Sequence, residues 1–283
     1  MDVLCEVKQA TVDGTVISKA KDNLNYDLLK AWLEDVCSRI AIKFGLVTNN
    51  GKPRMAFVLD TLLKYPCRGC IRKVLLNPNA NGKVDAFFVQ NHDLAVGLLV
   101  EGLRQNLEAN GFKLKVEQET SSMYGKPDII VKPTRTGVLV EVADLEIVIE
   151  VKTGVGFSYA QLIRYLVEKP NAIGIIWRIL PNQILILDSQ KHRLLLMLCL
   201  EAALKRGLDT LNGAVEECEH NPIRDFKIEI EDAQRLFDQY LTALTKSLPK
   251  IVGTVYEIIQ SRHASKADLQ NGTQSQALPE TYA

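Results

Sequence analysis

The clearest alternation of apolar and polar residues in this chain runs over residues 145–152, which read LEIVIEVK. On an extended strand successive side chains point to opposite faces, so Glu150 and Lys152 leave on the side opposite to Val151. A carboxylate and an ammonium group therefore stand beside each other at the end of an otherwise apolar strand. A charged side chain in an apolar environment destabilises the protein unless it is paired, so its presence here indicates a partner or a chemical function.

A second apolar run, residues 127–132, follows a Gly-Lys-Pro turn and predicts another strand, because proline fits the first residue of a strand. This strand carries Asp128 near its start. Turn-forming residues predict a hairpin over 137–151, whose second arm is the strand that carries Glu150. Two strands are thus expected to deliver Asp128, Glu150 and Lys152 to one place.

Helical periodicity surrounds these strands. Helices are predicted over 26–44, 54–63, 93–109, a stretch that includes Gln161, 190–206, and 231–262 with a break near Pro249. In the first of these helices Trp32 is expected in the core. The helix over 93–109 is expected to have Asp93 as its N-cap and a core-facing stripe of Leu94, Leu98, Leu103 and Leu107. Further strands are predicted over 112–119, 172–180 and 183–188. The order of helix, three strands, helix and strand predicts an α/β fold with a mixed central sheet flanked by helices.

Composition narrows the class of protein. Of the 283 residues 47% are apolar, which is enough for a substantial core, and the net charge of zero means that any contact with DNA must come from local patches. The chain has no run of about twenty apolar residues, and residues 1–10 lack the features of a signal peptide. We therefore expect a soluble, cytoplasmic protein without membrane contacts. No phosphate-binding GxxxxGK[ST] loop occurs, so any helicase or ATPase partner would be a separate chain.

The acidic residues and the lysine suit one kind of chemistry. Two convergent carboxylates can hold a hard divalent cation, most plausibly Mg²⁺ or Mn²⁺. Such an ion lowers the pKa of a bound water and neutralises charge on a phosphodiester oxygen, while a nearby lysine orients the water or stabilises the developing anion. The pattern predicts phosphodiester hydrolysis; its alternative is a solvated Glu-Val-Lys strand face.

Pro127-Asp128, followed by Glu150 and Lys152, resembles the PD-(D/E)XK nuclease superfamily. The resemblance implies a restriction-endonuclease-like core, with Asp128 and Glu150 as metal ligands and Lys152 at the attacking water. Gln161 and Tyr165, four residues apart on the next helix, are similar to the QxxxY motif of the RecB-like branch, which includes CRISPR-associated exonucleases. In that branch the two residues position the lysine and the DNA.

The helix that precedes the strands departs from the RecB-like pattern. Gly97 and Glu101 fall where that pattern has a glycine and, four residues later, a histidine. Other branches of the superfamily use a glutamate on this helix, so the resemblance implies Glu101 as a third metal ligand, with His92 as a nearby substitute. The alternative is a solvated glutamate on an amphipathic helix.

The segment KYPCRGCIRK holds Cys67 and Cys70 in a CxxC arrangement, which fills half of a tetrahedral metal site. The resemblance to iron-sulfur members of the RecB-like branch implies that Cys199 and Cys218 complete a cluster. Zinc, a redox pair and ordinary cysteines are alternatives, and Cys199 in the apolar run LLLMLCL also suits a buried thiol. Four basic side chains around this segment are candidates for phosphate contacts: Lys64, Arg68, Arg72 and Lys73.

The sequence thus predicts four regions: an N-terminal accessory region over 1–91, a nuclease core over 92–188, a C-terminal helical region over 189–263 and a disordered tail over 264–283. The predicted function is that of a metal-dependent DNA nuclease resembling the RecB-like exonucleases of DNA processing or CRISPR adaptation. The alternative is a catalytically silent nucleic-acid-binding or iron-sulfur assembly subunit.

Overall fold

A five-stranded sheet lies between two layers of helices in the computed structural model, which describes residues 26–78, 86–116, 125, 127–135, 145–154, 158–169, 171–213, 218–219 and 230–274. The helices are α1 (Tyr26–Lys43), α2 (Met55–Lys64), α3 (Arg68–Leu76), α4 (Ala86–Ala109), α5 (Ala160–Glu168), α6 (Arg193–Leu211) and α7 (Ile230–Gln274). The strands are β1 (Phe112–Val116), β2 (Ile129–Arg135), β3 (Ile147–Lys152), β4 (Ile173–Arg178) and β5 (Gln183–Asp188). The α/β class and the mixed, helix-flanked sheet are confirmed.

The strands lie in the sheet in their order along the chain, β1-β2-β3-β4-β5. Neighbours pair antiparallel except β3 and β4, which are parallel because α5 connects them as a crossover. Parallel strands with a crossover are buried on both faces, and β3 and β4 are apolar and buried over almost their whole length. Glu150 on β3 is therefore a carboxylate inside the core layer.

The two faces of the sheet carry different helices. One core cluster joins α1, α2, α3, α5 and α6 to Val148 and Ile176, and the other joins α4 and α7 to Ile147 and Ile149. Helices before residue 92 and after residue 188 thus share cores with the sheet, and the expected boundary at 92 falls inside α4. Of the predicted accessory region, residues 1–25 lie outside the described part of the chain.

The N-terminal and middle helices differ from expectation in two places. Trp32, expected in the core, is 55% exposed, because the buried stripe of α1 runs through Leu29, Leu33 and Val36. Helix α4 begins at Ala86, so Asp93 is not its N-cap. Its buried stripe is Ala95, Leu99, Leu103 and Leu107, whereas the predicted core residues Leu94 and Leu98 are exposed.

The C-terminal helix is longer than predicted. Helix α7 continues through Pro249 without a break and runs on to Gln274, so residues 264–274 of the expected disordered tail are helical. Residues 275–283 lie outside the described part, as do residues 137–144 of the expected hairpin. Within the described residues, no helix combines the length and the apolar character needed to cross a membrane.

Candidate functional site

Lys152 lies at the end of β3 between two oxygen atoms. Its Nζ donates to Glu150 Oε1 at 2.5 Å and to Gln161 Oε1 at 2.7 Å. Glu150 and Lys152 leave the strand on one face because they are two residues apart, and the crossover brings Gln161, in the first turn of α5, over the same strand end. The structure therefore brings these three predicted residues into direct contact.

The Glu150 carboxylate is buried, with a relative exposure of 2%. Its Oε1 accepts the bond from Lys152, but its Oε2 is buried and has no hydrogen-bond partner among the residues that the structure describes. Burial, together with the nearby charge of Asp128, raises the pKa of Glu150 to about 7, and the Lys152 ammonium opposes this shift. Glu150 Oε2 is thus a buried acceptor that points to a ligand at this site.

Asp128 stands at the start of β2, opposite Glu150. The register pairs Ile129 with Ile149, so the antiparallel ladder continued by one residue aligns Asp128 with Glu150. The backbone N–H of Val151 donates to Asp128 Oδ2 at 2.7 Å, which fixes the carboxylate against β3. Both predicted acidic residues therefore belong to one site.

His92 on α4 is the helix residue that reaches this site. Its Nε2 lies 3.2 Å from Asp128 Oδ2, and hydrogen bonding to Asp128 raises the pKa of His92 against the opposing effect of burial. The preceding residue is anchored from the C-terminal helix, because the Tyr240 hydroxyl donates to the Asn91 carbonyl at 2.5 Å. Helix α7 thus helps to set the position of His92.

Glu101, the predicted third ligand, lies elsewhere. It follows His92 by nine residues on the same helix, which separates the two by about 14 Å along the axis. Its side chain is 52% exposed and accepts hydrogen bonds from Arg104 at 2.9 Å and Gln105 at 2.8 Å. The structure does not bring Glu101 to the site. Glu101 is instead a solvated glutamate on an amphipathic helix.

Tyr165 lies one turn beyond Gln161 and is 2% exposed. Burial, and then the charge of Glu150, raises the pKa of Tyr165 above its ordinary value, so the phenol remains protonated. Its hydroxyl is 3.3 Å from Arg164 Nη2, which donates to it. The structure thus places Tyr165 within the electrostatic reach of Glu150.

Arg164 is a buried cation that the sequence reasoning overlooked. Its Nη1 donates to the Ala56 carbonyl at 3.0 Å and lies 3.8 Å from Asp60 Oδ1. Its Nη2 is so close to Gly125 that a Cβ there would meet it at 2.8 Å, and Gly125 has a φ of +89°. The signal was present in the sequence, because an arginine inside the apolar face of α5 needs a partner.

The acidic pair fits a divalent cation held by two protein carboxylates. Glu150 Oε2 and the carboxylate of the aligned Asp128 are hard oxygen donors, and Mg²⁺ often binds through one or two carboxylates and keeps several waters. Among the described residues, Asp128, Glu150 and His92 do not supply three donor atoms within 4.8 Å of one another. The residues present therefore fit an ion that takes its remaining ligands from water or substrate.

A second group of ligating atoms lies around α3. The sulfur atoms of Cys67, Cys70 and Cys218 are all within 4.8 Å of one another, and the Sγ atoms of Cys70 and Cys218 are 3.2 Å apart. Burial, and then the hydrogen bonds that Cys70 makes with Cys218 and Cys67, raise the pKa of Cys70 to about 12. Such a trio can bind either a zinc ion or an iron-sulfur cluster.

Cys199 does not belong to the trio. Its side chain is fully buried in the core cluster that also contains Cys37, Leu200 and Ala203. The predicted fourth ligand is therefore a structural thiol, as the apolar run around it also suggested. Three of the four basic residues make contacts within the chain: Arg68 pairs with Asp209 at 2.8 Å, Lys73 donates to the Cys218 carbonyl, and the Lys64 ammonium lies over the Tyr65 ring.

Comparison of this chain with protein-family models, with curated proteins and with solved structures finds no match.

Proposed function

We propose that this protein is a metal-dependent nuclease that hydrolyses phosphodiester bonds in DNA and has a restriction-endonuclease-like core of the PD-(D/E)XK type. The observation that supports this most directly is the position of the Lys152 amine, which lies between Glu150 and Gln161 at the end of the strand that Asp128 joins. The resemblance of the sequence motifs to the RecB-like branch supports the same proposal.

The energetic state of the site favours a chemical role over a structural one. A buried carboxylate oxygen that has no partner within the described part of the chain destabilises the fold, and an apolar residue at position 150 would remove that cost. Lys152 is paired but remains 21% exposed, so its amine is accessible to a ligand at the strand end. These features fit residues that are retained for chemistry.

Each residue has a role that follows from its contacts. Asp128 and Glu150 would hold Mg²⁺ or Mn²⁺, which when bound polarises a phosphodiester oxygen and lowers the pKa of a water ligand. Lys152 stabilises negative charge on the phosphate or orients the attacking water through its Nζ. Gln161 fixes the direction of that amine by accepting its hydrogen bond.

Tyr165 and Arg164 would act on the site through other residues and not through direct contact with the reacting atoms. Arg164 keeps a positive charge beside Glu150, which lowers the pKa of that carboxyl and so favours the ionised form that binds a cation. Tyr165 accepts a hydrogen bond from Arg164 and fills the space beneath the site. Both are positioning residues.

The second candidate is a nucleic-acid-binding or iron-sulfur assembly subunit without hydrolytic activity. The cysteine trio favours it, because three sulfur atoms that lie together outside the acidic site can serve a purpose unrelated to hydrolysis. This alternative does not explain the convergence of Asp128, Glu150 and Lys152.

Hydrolysis can be tested with purified full-length protein and labelled single-stranded, double-stranded, linear and circular DNA in Mg²⁺ or Mn²⁺. We expect cleavage by the wild type and a loss of at least about 100-fold in Asp128→Ala and Lys152→Ala, because each removes a group that stabilises the transition state. Lys132→Ala is the matched control, since this strand lysine pairs with Glu146 at 3.1 Å outside the Lys152 contacts.

The outcomes separate the two candidates. Cleavage that disappears in both site variants and persists in the control supports a nuclease. Identical products from the wild type and the site variants would assign the activity to a contaminant and refute the catalytic assignment. DNA binding without cleavage under every metal condition would favour the silent subunit.

A further inference from the structure

The cysteine trio is built from two separate parts of the chain. Cys67 is the N-cap residue of α3, and Cys70 follows three residues later, so the two lie on one side of the helix start. Cys218 comes from the chain beyond α6, and Lys73 holds its backbone by donating to the Cys218 carbonyl. The three sulfur atoms are thereby gathered at the start of a nine-residue helix.

We propose that Cys67, Cys70 and Cys218 bind a single zinc ion through three thiolates. Three sulfurs on one tetrahedral ion at Zn–S distances of about 2.3 Å lie about 3.8 Å from one another. The three sulfur atoms lie within 4.8 Å of one another, with those of Cys70 and Cys218 at 3.2 Å, so small side-chain rotations complete this arrangement. The fourth position is filled by a nitrogen or oxygen ligand.

The same spacing argues against a multinuclear iron-sulfur cluster. In a cubane cluster each thiolate binds a different iron and lies on a different corner, so the ligand sulfurs are spread farther apart than on one ion. Such a cluster usually takes four cysteine ligands, and the other cysteines of the described residues, Cys37 and Cys199, are fully buried in the helical core. One small ion fits the compact trio better.

The surrounding charges suit the complex. Three thiolates and Zn²⁺ carry a net charge of minus one, and basic side chains adjoin the trio in the sequence of α3. Arg68 is paired with Asp209 of α6, and Lys73 approaches Cys218. The zinc ion would thus fasten α3 to the chain that follows α6, at the point where the Arg68–Asp209 ion pair already joins the two helices.

The test is a measurement of metal in the full-length protein. Reduced protein, as purified and after anaerobic incubation with Zn²⁺ followed by desalting, is analysed for zinc, iron and acid-labile sulfide. We expect one zinc per chain and, after cobalt substitution, the thiolate-to-metal absorption of a tetrahedral site. Zinc-edge X-ray absorption should show three sulfur ligands at about 2.3 Å and one lighter ligand at about 2.0–2.2 Å.

Variants connect the metal to the residues. Cys67→Ser, Cys70→Ser and Cys218→Ser should each lose most of the zinc, whereas the matched control Cys199→Ala should keep it, because Cys199 is a buried cysteine outside the trio. A folding defect in one variant does not decide the test, since an organomercurial that caps thiols should release zinc from the wild type.

Four results would overturn the proposal: no zinc retained under either condition, iron with stoichiometric sulfide and absorption near 400 nm, four sulfur ligands at the zinc, or a Cys70–Cys218 disulfide that forms in place of zinc binding when Zn²⁺ is supplied. These measurements use no nucleic acid, so their failure leaves the proposal of DNA hydrolysis untouched, and a failure of hydrolysis leaves the zinc site untouched.

Discussion

Replacement of Glu150 by glutamine should change how stability depends on pH. The pKa of Glu150 in the folded protein, about 7, lies above its ordinary value of 4.5, chiefly because the carboxyl is buried. A group whose pKa is raised by folding contributes stability that is complete below the unfolded value and is lost as the pH rises through the folded value. The difference of about 2.5 pKa units corresponds to about 3 kcal/mol.

The glutamine variant lacks this titration but retains an acceptor for Lys152. We therefore expect its advantage in the free energy of unfolding over the wild type to grow by up to about 3 kcal/mol between pH 5 and pH 8 in the presence of EDTA. Urea denaturation of both proteins at several pH values, followed by circular dichroism, measures this difference. Taking the difference between the two proteins cancels the titration of other groups.

A divalent cation should remove most of this difference in stability. At pH 8, Mg²⁺ at about 100 times its dissociation constant stabilises a protein that binds it by about 2.7 kcal/mol, and the glutamine variant should gain much less.

Glu146→Gln is the control, because its effect on stability should depend on pH in the opposite direction. Burial alone would raise the pKa of Glu146, but Lys169 and Lys132 hold it below its ordinary value, so its contribution is present at neutral pH and lost on acidification.

Parallel pH profiles for the wild type and Glu150→Gln in EDTA would refute the reasoning. Such a result would mean that the Glu150 carboxyl ionises in the folded protein as readily as in the unfolded chain. Equal stabilisation of both proteins by Mg²⁺ would remove Glu150 from the set of metal ligands.

Three further predictions concern packing. Gly174→Ala should destabilise the fold by about 1–3 kcal/mol, because the new Cβ would lie 2.5 Å from Leu162. It should also impair cleavage, because Leu162 lies on α5 next to Gln161. Thermal melting and the nuclease assay measure these two effects. Gly207→Ala should cost a similar amount, since its Cβ would lie 2.5 Å from Val36, but should leave cleavage by the folded protein unchanged. Trp32→Ser should shift the free energy of unfolding by no more than about 0.5 kcal/mol in urea titrations, because that indole is 55% exposed.

The strands and the centre of the candidate site were predictable because their signals are local. Alternation over 145–152 placed Glu150 and Lys152 on one strand face, and the four-residue spacing of Gln161 and Tyr165 placed them on one side of α5. These residues come together because short connections join neighbouring elements.

The errors arose where tertiary packing outweighs local preference. Helix α7 continues through Pro249 because residues on both sides of the proline pack on the same core, among them Tyr240 before it and Val255 after it. That burial outweighs the loss of one backbone hydrogen bond. Glu101 is predicted as a ligand because it follows Gly97 by four residues, but the residue of α4 that contacts Asp128 is His92, in the second turn of the helix.

The bond from Tyr240 to the carbonyl of Asn91 connects the C-terminal helix to the candidate site, because Asn91 precedes His92. A protein shortened before α7 would keep every predicted motif but would lose the hydrogen bond from Tyr240 that holds the residue before His92. Boundaries for expression or for domain grafting should therefore be drawn from this long-range contact and not from the motifs alone.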